Sequence, residues 1–181
     1  MIDGGLAGGI RMLVLDVDGV LTDNAIFLGV VGGERVEFKR FDIQDGLGLG
    51  LLRGGPIEVV WLSGRVSAAT TLRATELRIG TLIQDSTARK LNALAGLLAD
   101  RGLQWEQVAF VGDDLADLSV MERVGLPIAV SNAVAEIKRI AKAVTTRPGG
   151  HGAVREAVEM LLRARGEWDA TIARYRAERD Q

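Results

Sequence analysis

The chain contains no cysteine, a single histidine and three prolines among its 181 residues, and aromatic residues make up 4% of it. The absence of cysteine excludes disulfides, thiolate metal sites and a cysteine nucleophile. One histidine alone cannot form an imidazole-rich metal centre. Carboxylates, hydroxyls and amines are therefore the groups in which the chemistry of this chain must be sought.

Charge and hydropathy exclude two classes of partner. The formal net charge is -2 at pH 7, so the chain lacks the basic surface with which proteins bind nucleic acid or anionic membranes. No apolar run reaches the roughly 18 residues of a membrane span. The first residues also lack the basic and apolar regions of a secretory signal. We therefore expect a cytoplasmic protein with neither a nucleic-acid nor a membrane partner.

The most informative segment is an apolar run that ends in two carboxylates. Residues 12–15, Met-Leu-Val-Leu, predict a buried strand, and Asp16, Asp18 and the turn-forming Gly19 follow it. At the carboxyl end of a strand in an open α/β sheet, side chains line the crevice where ligands bind. Two carboxylates there need a cation or a proton to offset their charge. This pattern indicates a metal-assisted phosphoryl-transfer centre, with one carboxylate as nucleophile and its neighbour handling protons.

The pattern Asp-x-Asp-Gly also opens calcium-binding loops. An EF-hand loop would follow a helix and would close with a glutamate at its twelfth position. Here a strand pattern precedes Asp16, and Phe27 occupies the twelfth position. The calcium loop is therefore the weaker interpretation.

Apolar runs of strand length alternate with stretches of helical spacing along the chain. Strands are predicted at 11–16, 57–62, 81–84, 108–112, 127–130 and 143–146, and helices at 66–78, 87–101, 114–123 and 133–142. This alternation predicts one α/β domain over residues 1–181, with a doubly wound, Rossmann-like parallel sheet.

Two segments stand apart from this alternation. Gly32-Gly33 between two apolar stretches predicts a β-hairpin insertion over 24–41. An isolated hairpin is marginal in water, so we expect this one to pair with its own domain or with another protomer. Residues 148–181 comprise a glycine-rich segment, a helix over 152–165 and a charged tail.

One polar site follows the predicted second strand, and another lies near the start of a later helix. Ser63, Gly64 and Arg65 place a hydroxyl and a backbone N–H at a helix start, where phosphate oxygens are readily held. An ordinary N-cap would explain Ser63 equally well. Lys90 supplies a point charge that could pair with the nucleophilic carboxylate and the phosphoryl group, although most lysines are simply solvated.

An acidic cluster follows the apolar strand 108–112. Asp113 and Asp114 lie where the crevice of the sheet should be, and Asp117 follows four residues after Asp113 on the same helical face. Acidic residues favour helix starts, but this explains one of the three rather than all of them. The cluster suits a hard, oxygen-binding cation, of which magnesium is the best candidate.

Together these segments resemble the motifs of the haloacid dehalogenase superfamily of phosphatases, in order along nearly the whole chain. Segment 16–23 matches the first motif, Ser63 the second, Lys90 the third and Gly112-Asp113-Asp114-x-x-Asp117 the fourth. The chain is further similar to the nearly capless subgroup that contains 3-deoxy-D-manno-octulosonate 8-phosphate phosphatases. The hairpin after Val-Leu-Thr-Asp, segment 41–48 and segment 149–156 carry this closer resemblance.

The resemblance implies a phosphoric monoester hydrolase without a large cap domain and with Mg²⁺ as cofactor. Asp16 would attack phosphorus to form an aspartyl-phosphate, and Asp18 would act as general acid and base. Ser63 and Lys90 would bind the phosphoryl oxygens. The implied metal ligands are Asp16, the Asp18 carbonyl and Asp113, with support from Asp114 and Asp117.

The resemblance also implies the substrate, a keto-deoxy sugar acid phosphate such as 3-deoxy-D-manno-octulosonate 8-phosphate, in lipopolysaccharide-type sugar biosynthesis. Related phosphatases often have cationic residues where Gln44, Gly50 and His151 stand, so a nine-carbon sialic-type sugar 9-phosphate stays open as the substrate. Guanidinium groups can bind the sugar carboxylate. Besides Asp18 and Lys90, the candidate substrate-binding residues are Asp42, Ile43, Gln44, Asp45, Gly46, Gly64, Arg65, Arg73 and His151.

Members of the subgroup are homotetramers in which the hairpins associate and the glycine-rich tail approaches a neighbour's active site, and the resemblance implies the same here. Two interpretations from other classes stay open. A phosphorelay receiver would be phosphorylated without turnover, but its phosphoacceptor belongs to the third strand rather than the first. A non-catalytic assembly module need not keep all the motifs together, whereas this chain does.

Overall fold

The computed structural model describes residues 2–87 and 89–180. Met1 and Gln181, at the ends of the predicted domain, and Ala88, within the predicted helix 87–101, lie outside the described residues. The strands are β1 (Met12–Leu15), β2 (Phe27–Val31), β3 (Glu34–Phe38), β4 (Glu58–Ser63), β5 (Thr81–Gln84), β6 (Val108–Gly112), β7 (Leu126–Ala129) and β8 (Ala143–Val144). The helices are α1 (Gly4–Gly9), α2 (Ile43–Leu51), α3 (Ala68–Glu76), α4 (Lys90–Arg101), α5 (Leu118–Met121), α6 (Ala135–Ile140), α7 (Ala153–Ala164) and α8 (Trp168–Ala177).

Six parallel strands form the central sheet in the order β5-β4-β1-β6-β7-β8. The chain thus winds outward from β1 in one direction through β4 and β5, and then in the other direction from β6. The order reverses between β1 and β6, and such a switch point is where open α/β sheets bind their ligands. The prediction of a doubly wound parallel sheet is confirmed.

The core lies on both faces of this sheet. All four residues of β1 are fully buried, and so are Trp61 of β4 and Phe110 of β6. Strands that are apolar along their whole length are typical of parallel sheets covered by helices on both sides. Each such aliphatic or aromatic side chain stabilises the fold by roughly 1.5–3 kcal/mol. The packing of these strands therefore holds their carboxyl ends in place, and the polar residues Asp16 and Asp113 directly follow β1 and β6.

Helix α2 was not predicted from the sequence, because three of its nine residues are glycines, which disfavour helices. The Asp42 side chain caps it by accepting a 2.6 Å hydrogen bond from the Gln44 N–H. A Cβ at Gly46 would lie 2.8 Å from the Arg73 guanidinium, and one at Gly48 would lie 3.0 Å from the Arg155 Cα. Close packing against α3 and α7 therefore requires the same glycines that lower the helix propensity of this segment.

The hairpin consists of β2 and β3, joined by a turn in which Gly32 and Gly33 have φ values of 62° and 86°. Both angles lie in the left-handed region, which glycine adopts without steric cost. Apolar side chains on both faces of the hairpin are strongly exposed: 57% for Phe27, 80% for Leu28 and 69% for Val30. On its inner side the hairpin faces α3 and the loop after β1. It is the one two-stranded sheet of the described residues.

The glycine-rich segment before α7 packs directly onto the loop after β1. A Cβ at Gly149 would overlap the carbonyl oxygen of Gly19, and one at Gly150 would overlap the backbone nitrogen of Asp23. The Gly150 N–H also donates a 3.0 Å hydrogen bond to the Val20 carbonyl.

Among the described residues, no helix combines the length and apolar character that a membrane crossing needs.

Candidate active site

Three carboxylates meet at the switch point of the sheet. Asp16 follows β1, Asp113 follows β6, and Asp117 ends a 3-10 turn over Leu115–Asp117. One oxygen of each lies within 4.8 Å of the others, and all three residues are buried. Because β1 and β6 are paired, with Leu15 opposite Val111, the residues that follow them lie side by side.

Lys90 joins two of these carboxylates. As the first residue of α4, it places its Nζ 2.5 Å from Asp16 Oδ1 and 2.7 Å from Asp117 Oδ1, and it is 3% exposed. Burial alone would lower the pKa of Lys90, but the carboxylates of Asp16 and Asp117 raise it above its usual value. The ammonium therefore stays charged and is held against Asp16.

One lysine does not offset three carboxylates, and their pKa values reflect this. Burial and the adjacent Asp117 raise the pKa of Asp16 well above its ordinary value, although Lys90 opposes the shift. Burial and the Asp117 and Asp114 carboxylates raise the pKa of Asp113 to about 7. Within the part of the chain that the structure describes, the buried Oδ1 of Asp113 has no hydrogen-bond partner. A hard divalent cation such as Mg²⁺ would satisfy both the charge and this oxygen.

The structure brings Asp117 to the cluster in place of Asp114. The side chain of Asp114 is exposed, and its Oδ1 accepts a 2.7 Å hydrogen bond from the Leu115 N–H. Asp114 is extended, with φ -134° and ψ 171°, so its side chain points away from that of Asp113. Asp117 turns back instead, and its Oδ2 accepts the Asp113 N–H at 3.1 Å.

Ser63 ends β4, which pairs with β1 on the side opposite β6. It is fully buried, and its Oγ accepts the Arg65 N–H and donates to the Arg65 carbonyl, both at 3.1 Å, with Gly64 between them. The expectation of a helix start here is wrong, because α3 begins at Ala68 and Ser67 is its N-cap. The alternative of Ser63 as N-cap is wrong for the same reason.

Asp18 contacts cations from two elements. Its Oδ1 accepts a 2.7 Å hydrogen bond from Lys39 Nζ and lies 3.8 Å from Arg65 Nη1. The buried Nη1 of Arg65 has no hydrogen-bond partner within residues 2–87 and 89–180. Sequence reasoning missed Lys39, because nothing in the local pattern indicates how the hairpin folds back over the loop after β1.

The other candidate substrate-binding residues lie around α2. Arg73 binds Glu76 at 2.7 Å and stacks over Phe41, 6.0 Å from the ring centroid. Its Nη2 also lies 3.5 Å from the Asp42 carbonyl, and Ile43 beside it is exposed.

Two further candidates contact arginines that the sequence analysis did not single out. Gln44 Oε1 accepts a 2.7 Å hydrogen bond from Arg147 Nη1. The exposed His151 has both ring nitrogens 3.3 Å from the Arg40 guanidinium. A guanidinium group therefore lies next to each of these two residues.

Asp45 faces α7 rather than the carboxylate cluster. It is 1% exposed, and its Oδ1 accepts a 2.8 Å hydrogen bond from the Arg155 N–H in the first turn of that helix. Burial raises the pKa of Asp45 to about 6, although the backbone N–H groups of Arg155, Gly152 and Val154 oppose the shift. In this chain Asp45 thus anchors the helix after the glycine-rich segment.

Asp45→Asn should reveal this anchor through pH. Because the folded-state pKa of about 6 exceeds the ordinary 3.8, ionisation disfavours the folded state, and the wild type loses stability relative to the variant as pH rises. Between pH 4.5 and 7.5 we expect a relative loss of about 2 kcal/mol in urea unfolding. The exposed Asp100→Asn should show no such trend. A difference between wild type and Asp45→Asn that does not change with pH would contradict the assignment.

Comparison with known proteins agrees with this geometry. A family profile for haloacid dehalogenase-like hydrolases matches residues 78–156. The chain is 42% identical to the 3-deoxy-D-manno-octulosonate 8-phosphate phosphatase KdsC of Escherichia coli (strain K12) over 163 residues, which span 90% of this chain and 85% of that protein. The chain belongs to the haloacid dehalogenase-like hydrolases. The predicted superfamily and the predicted class, a phosphoric monoester hydrolase, are confirmed.

Two solved structures of this family are similar along most of the chain. The 3-deoxy-D-manno-octulosonate 8-phosphate phosphatase of Moraxella catarrhalis, in complex with magnesium ion, phosphate ion and KDO, is 38% identical, with a TM-score of 0.87 and coverage of 95% of this chain and 97% of that chain. The cobalt-bound phosphatase YrbI of Haemophilus influenzae is 34% identical, with a TM-score of 0.81 and coverage of 89% and 92%. No large cap domain occurs among the residues described here.

Proposed function

We propose that this haloacid dehalogenase-like hydrolase releases phosphate from a keto-deoxy sugar acid phosphate, first of all 3-deoxy-D-manno-octulosonate 8-phosphate, in lipopolysaccharide-type sugar biosynthesis. The observation that carries the proposal is the Asp16 carboxylate, held by Lys90 beside Asp113 at the switch point of the sheet. The KdsC likeness supports the choice of substrate.

In the proposed reaction, an oxygen of the Asp16 carboxylate attacks phosphorus in line. The bond from phosphorus to the sugar oxygen breaks, and Asp18 gives a proton to that oxygen. Asp18 then takes a proton from the water that hydrolyses the aspartyl-phosphate, so that free phosphate leaves and Asp16 is restored. Dividing the displacement into two steps lowers each barrier.

The remaining groups stabilise the phosphoryl charge. Lys90 and the hydroxyl of Ser63 bind the phosphoryl oxygens. Mg²⁺ would be held by the Asp16 carboxylate, the Asp18 carbonyl and Asp113, with Asp117 adjacent, and would supply positive charge that offsets the charge of the phosphoryl group. Asp114 supports this site only indirectly, since its side chain is exposed.

The sugar acid also needs a partner for its own carboxylate. Arg65 offers a buried Nη1 that no other group binds within the described part of the chain, 3.8 Å from Asp18. A guanidinium with a free N–H group is suited to a carboxylate. The other proposed substrate-binding residues are Asp42, Ile43, Gln44, Gly46, Gly64, Arg73 and His151.

The hairpin provides a surface for association. Its exposed apolar side chains, Phe27 on one face and Leu28 and Val30 on the other, are of a kind that marks interaction sites. We propose that the hairpins of four copies associate and that the C-terminal tail lies near a neighbouring active site, whereas Gly149 and Gly150 pack on the loop after β1 of their own chain. Light scattering tests the assembly: a mass of four chains is expected, and a monomer would contradict it.

Phosphate release in the presence of Mg²⁺, measured over a panel of eight- and nine-carbon keto-acid phosphates, tests the proposed function. The highest kcat/KM is expected for 3-deoxy-D-manno-octulosonate 8-phosphate. A higher value for a nine-carbon 9-phosphate would replace the substrate but keep the chemistry. Stoichiometric, persistent phosphorylation without phosphate release would indicate a phosphoacceptor instead. No reaction with any member of the panel would contradict the proposal.

A further inference from the structure

We propose that Lys39, which follows β3 of the hairpin, is a positioning residue that fixes the carboxyl group of Asp18 for proton transfer. The hairpin would then form part of the active site of its own chain, in addition to any role in association. This inference rests on the proposed function, because it assigns Lys39 an effect on the same phosphatase reaction.

The surroundings of Lys39 support action through Asp18. The Lys39 side chain has no exposed surface. Its Nζ lies 2.7 Å from Asp18 Oδ1, 3.3 Å from Thr70 Oγ1 and 3.7 Å from Glu37 Oε1. An ammonium has three N–H donors, of which two donate hydrogen bonds to Asp18 and Thr70, while Glu37 lies at ion-pair distance. Because the side chain is fully buried among these groups, the main effect of Lys39 falls on them rather than on a substrate oxygen.

The acceptors around Lys39 are themselves held in place. Thr70 is fully buried on α3. Glu37 accepts hydrogen bonds from Ser67 Oγ at 2.7 Å and from Arg65 Nη2 at 2.9 Å. Although burial acts to raise the pKa of Glu37, its contacts with Ser67, Lys39 and Arg65 lower it overall, so it stays ionised. Lys39 therefore connects Asp18 to a network anchored on both α3 and β3.

A fixed carboxyl group matters because Asp18 lies on a loop and must reach the leaving oxygen. A misplacement of about 1 Å at a reacting group can reduce a rate by roughly 10²-fold. Loss of the Lys39 contact would free the side-chain torsions of Asp18. Since Asp18 does not hold the phosphoryl group in the proposed mechanism, kcat should fall while KM changes little.

The test uses Lys39→Met, which keeps the length of the side chain and removes its charge. We expect kcat for the best panel substrate to fall by about 10- to 100-fold, with KM within about threefold of wild type. Lys39→Arg should recover part of the loss, because it keeps a cation at this position. Lys138→Met, the same change at an exposed site on α6, should leave both constants unchanged. A wild-type kcat for Lys39→Met would overturn the inference.

A double-mutant cycle separates positioning from a structural or direct substrate role. If Lys39 works through Asp18, then Lys39→Met should cause no further loss of kcat in an Asp18→Asn background. Multiplication of the two effects would overturn the inference. If Lys39→Met does not fold, as judged by thermal melting, then Lys39→Gln takes its place in the cycle. Failure of the wild type on the whole panel would instead contradict the proposed function.

Discussion

Asp16→Asn is expected to reduce Mg²⁺-dependent phosphate release from 3-deoxy-D-manno-octulosonate 8-phosphate by a factor of about 10⁴ or more. The amide oxygen of asparagine is a poor nucleophile, so the aspartyl-phosphate cannot form at this position. The substitution leaves the shape of the side chain and an acceptor for Lys90 unchanged. The fold should therefore persist, with a thermal midpoint close to that of the wild type.

The measurement compares single-turnover phosphate release by wild type, Asp16→Asn and Asp100→Asn at saturating Mg²⁺. Asp100 is an exposed carboxylate of α4, so its substitution makes the same chemical change away from the cluster. It should retain wild-type turnover. Turnover by Asp16→Asn at the wild-type rate would show that another group is the nucleophile.

Lys90→Met is expected to lower both stability and turnover. The substitution removes the ammonium that lies 2.5 Å from Asp16 and 2.7 Å from Asp117. Removing one partner from a buried ion pair costs about 3–5 kcal/mol, because the remaining charge stays buried without compensation. At pH 8 without Mg²⁺, urea unfolding should show a loss of this order. Phosphate release should fall by at least about 10², since a phosphoryl ligand is also lost.

The loss of stability in Lys90→Met should depend on pH. Burial and Asp117 already raise the pKa of Asp16, and Lys90 is the group that opposes the shift. Without Lys90 the pKa of Asp16 rises further, so the carboxylate becomes protonated as pH falls and the uncompensated charge disappears. The stability difference from wild type should therefore shrink from pH 8 to pH 5.5. Lys138→Met provides the matched control, and an equal loss at both pH values would argue against this explanation.

The sheet and the first motif could be predicted because the relevant signals are local. The fully buried β1 is a continuous apolar run, and Asp16 follows it directly. The same holds for β6 and Asp113. Pairing of the two strands then brings their carboxyl ends together, which the alternation of strands and helices already indicates.

Other parts of the candidate site depend on packing that no local pattern records. The glycines of α2 disfavour a helix, yet they allow its close contacts with α3 and α7. Spacing alone did not decide between Asp114 and Asp117, because the extended backbone at Asp114 sets which of them turns inward. Lys39 reaches Asp18 only because the hairpin folds back over the loop after β1. Each of these outcomes is a tertiary effect.

The seating of Gly149 and Gly150 against Gly19 and Asp23 has a consequence for synthesis in the cell. Contacts between residues so distant in the chain form late, because a long loop must close before they are made. A ribosome-bound chain that has emerged only as far as β8 would contain every proposed catalytic residue. It would lack the contacts of the glycine-rich segment with the loop after β1. Arrest of translation before residue 150 should therefore yield nascent chains whose nucleophile loop is open to proteases.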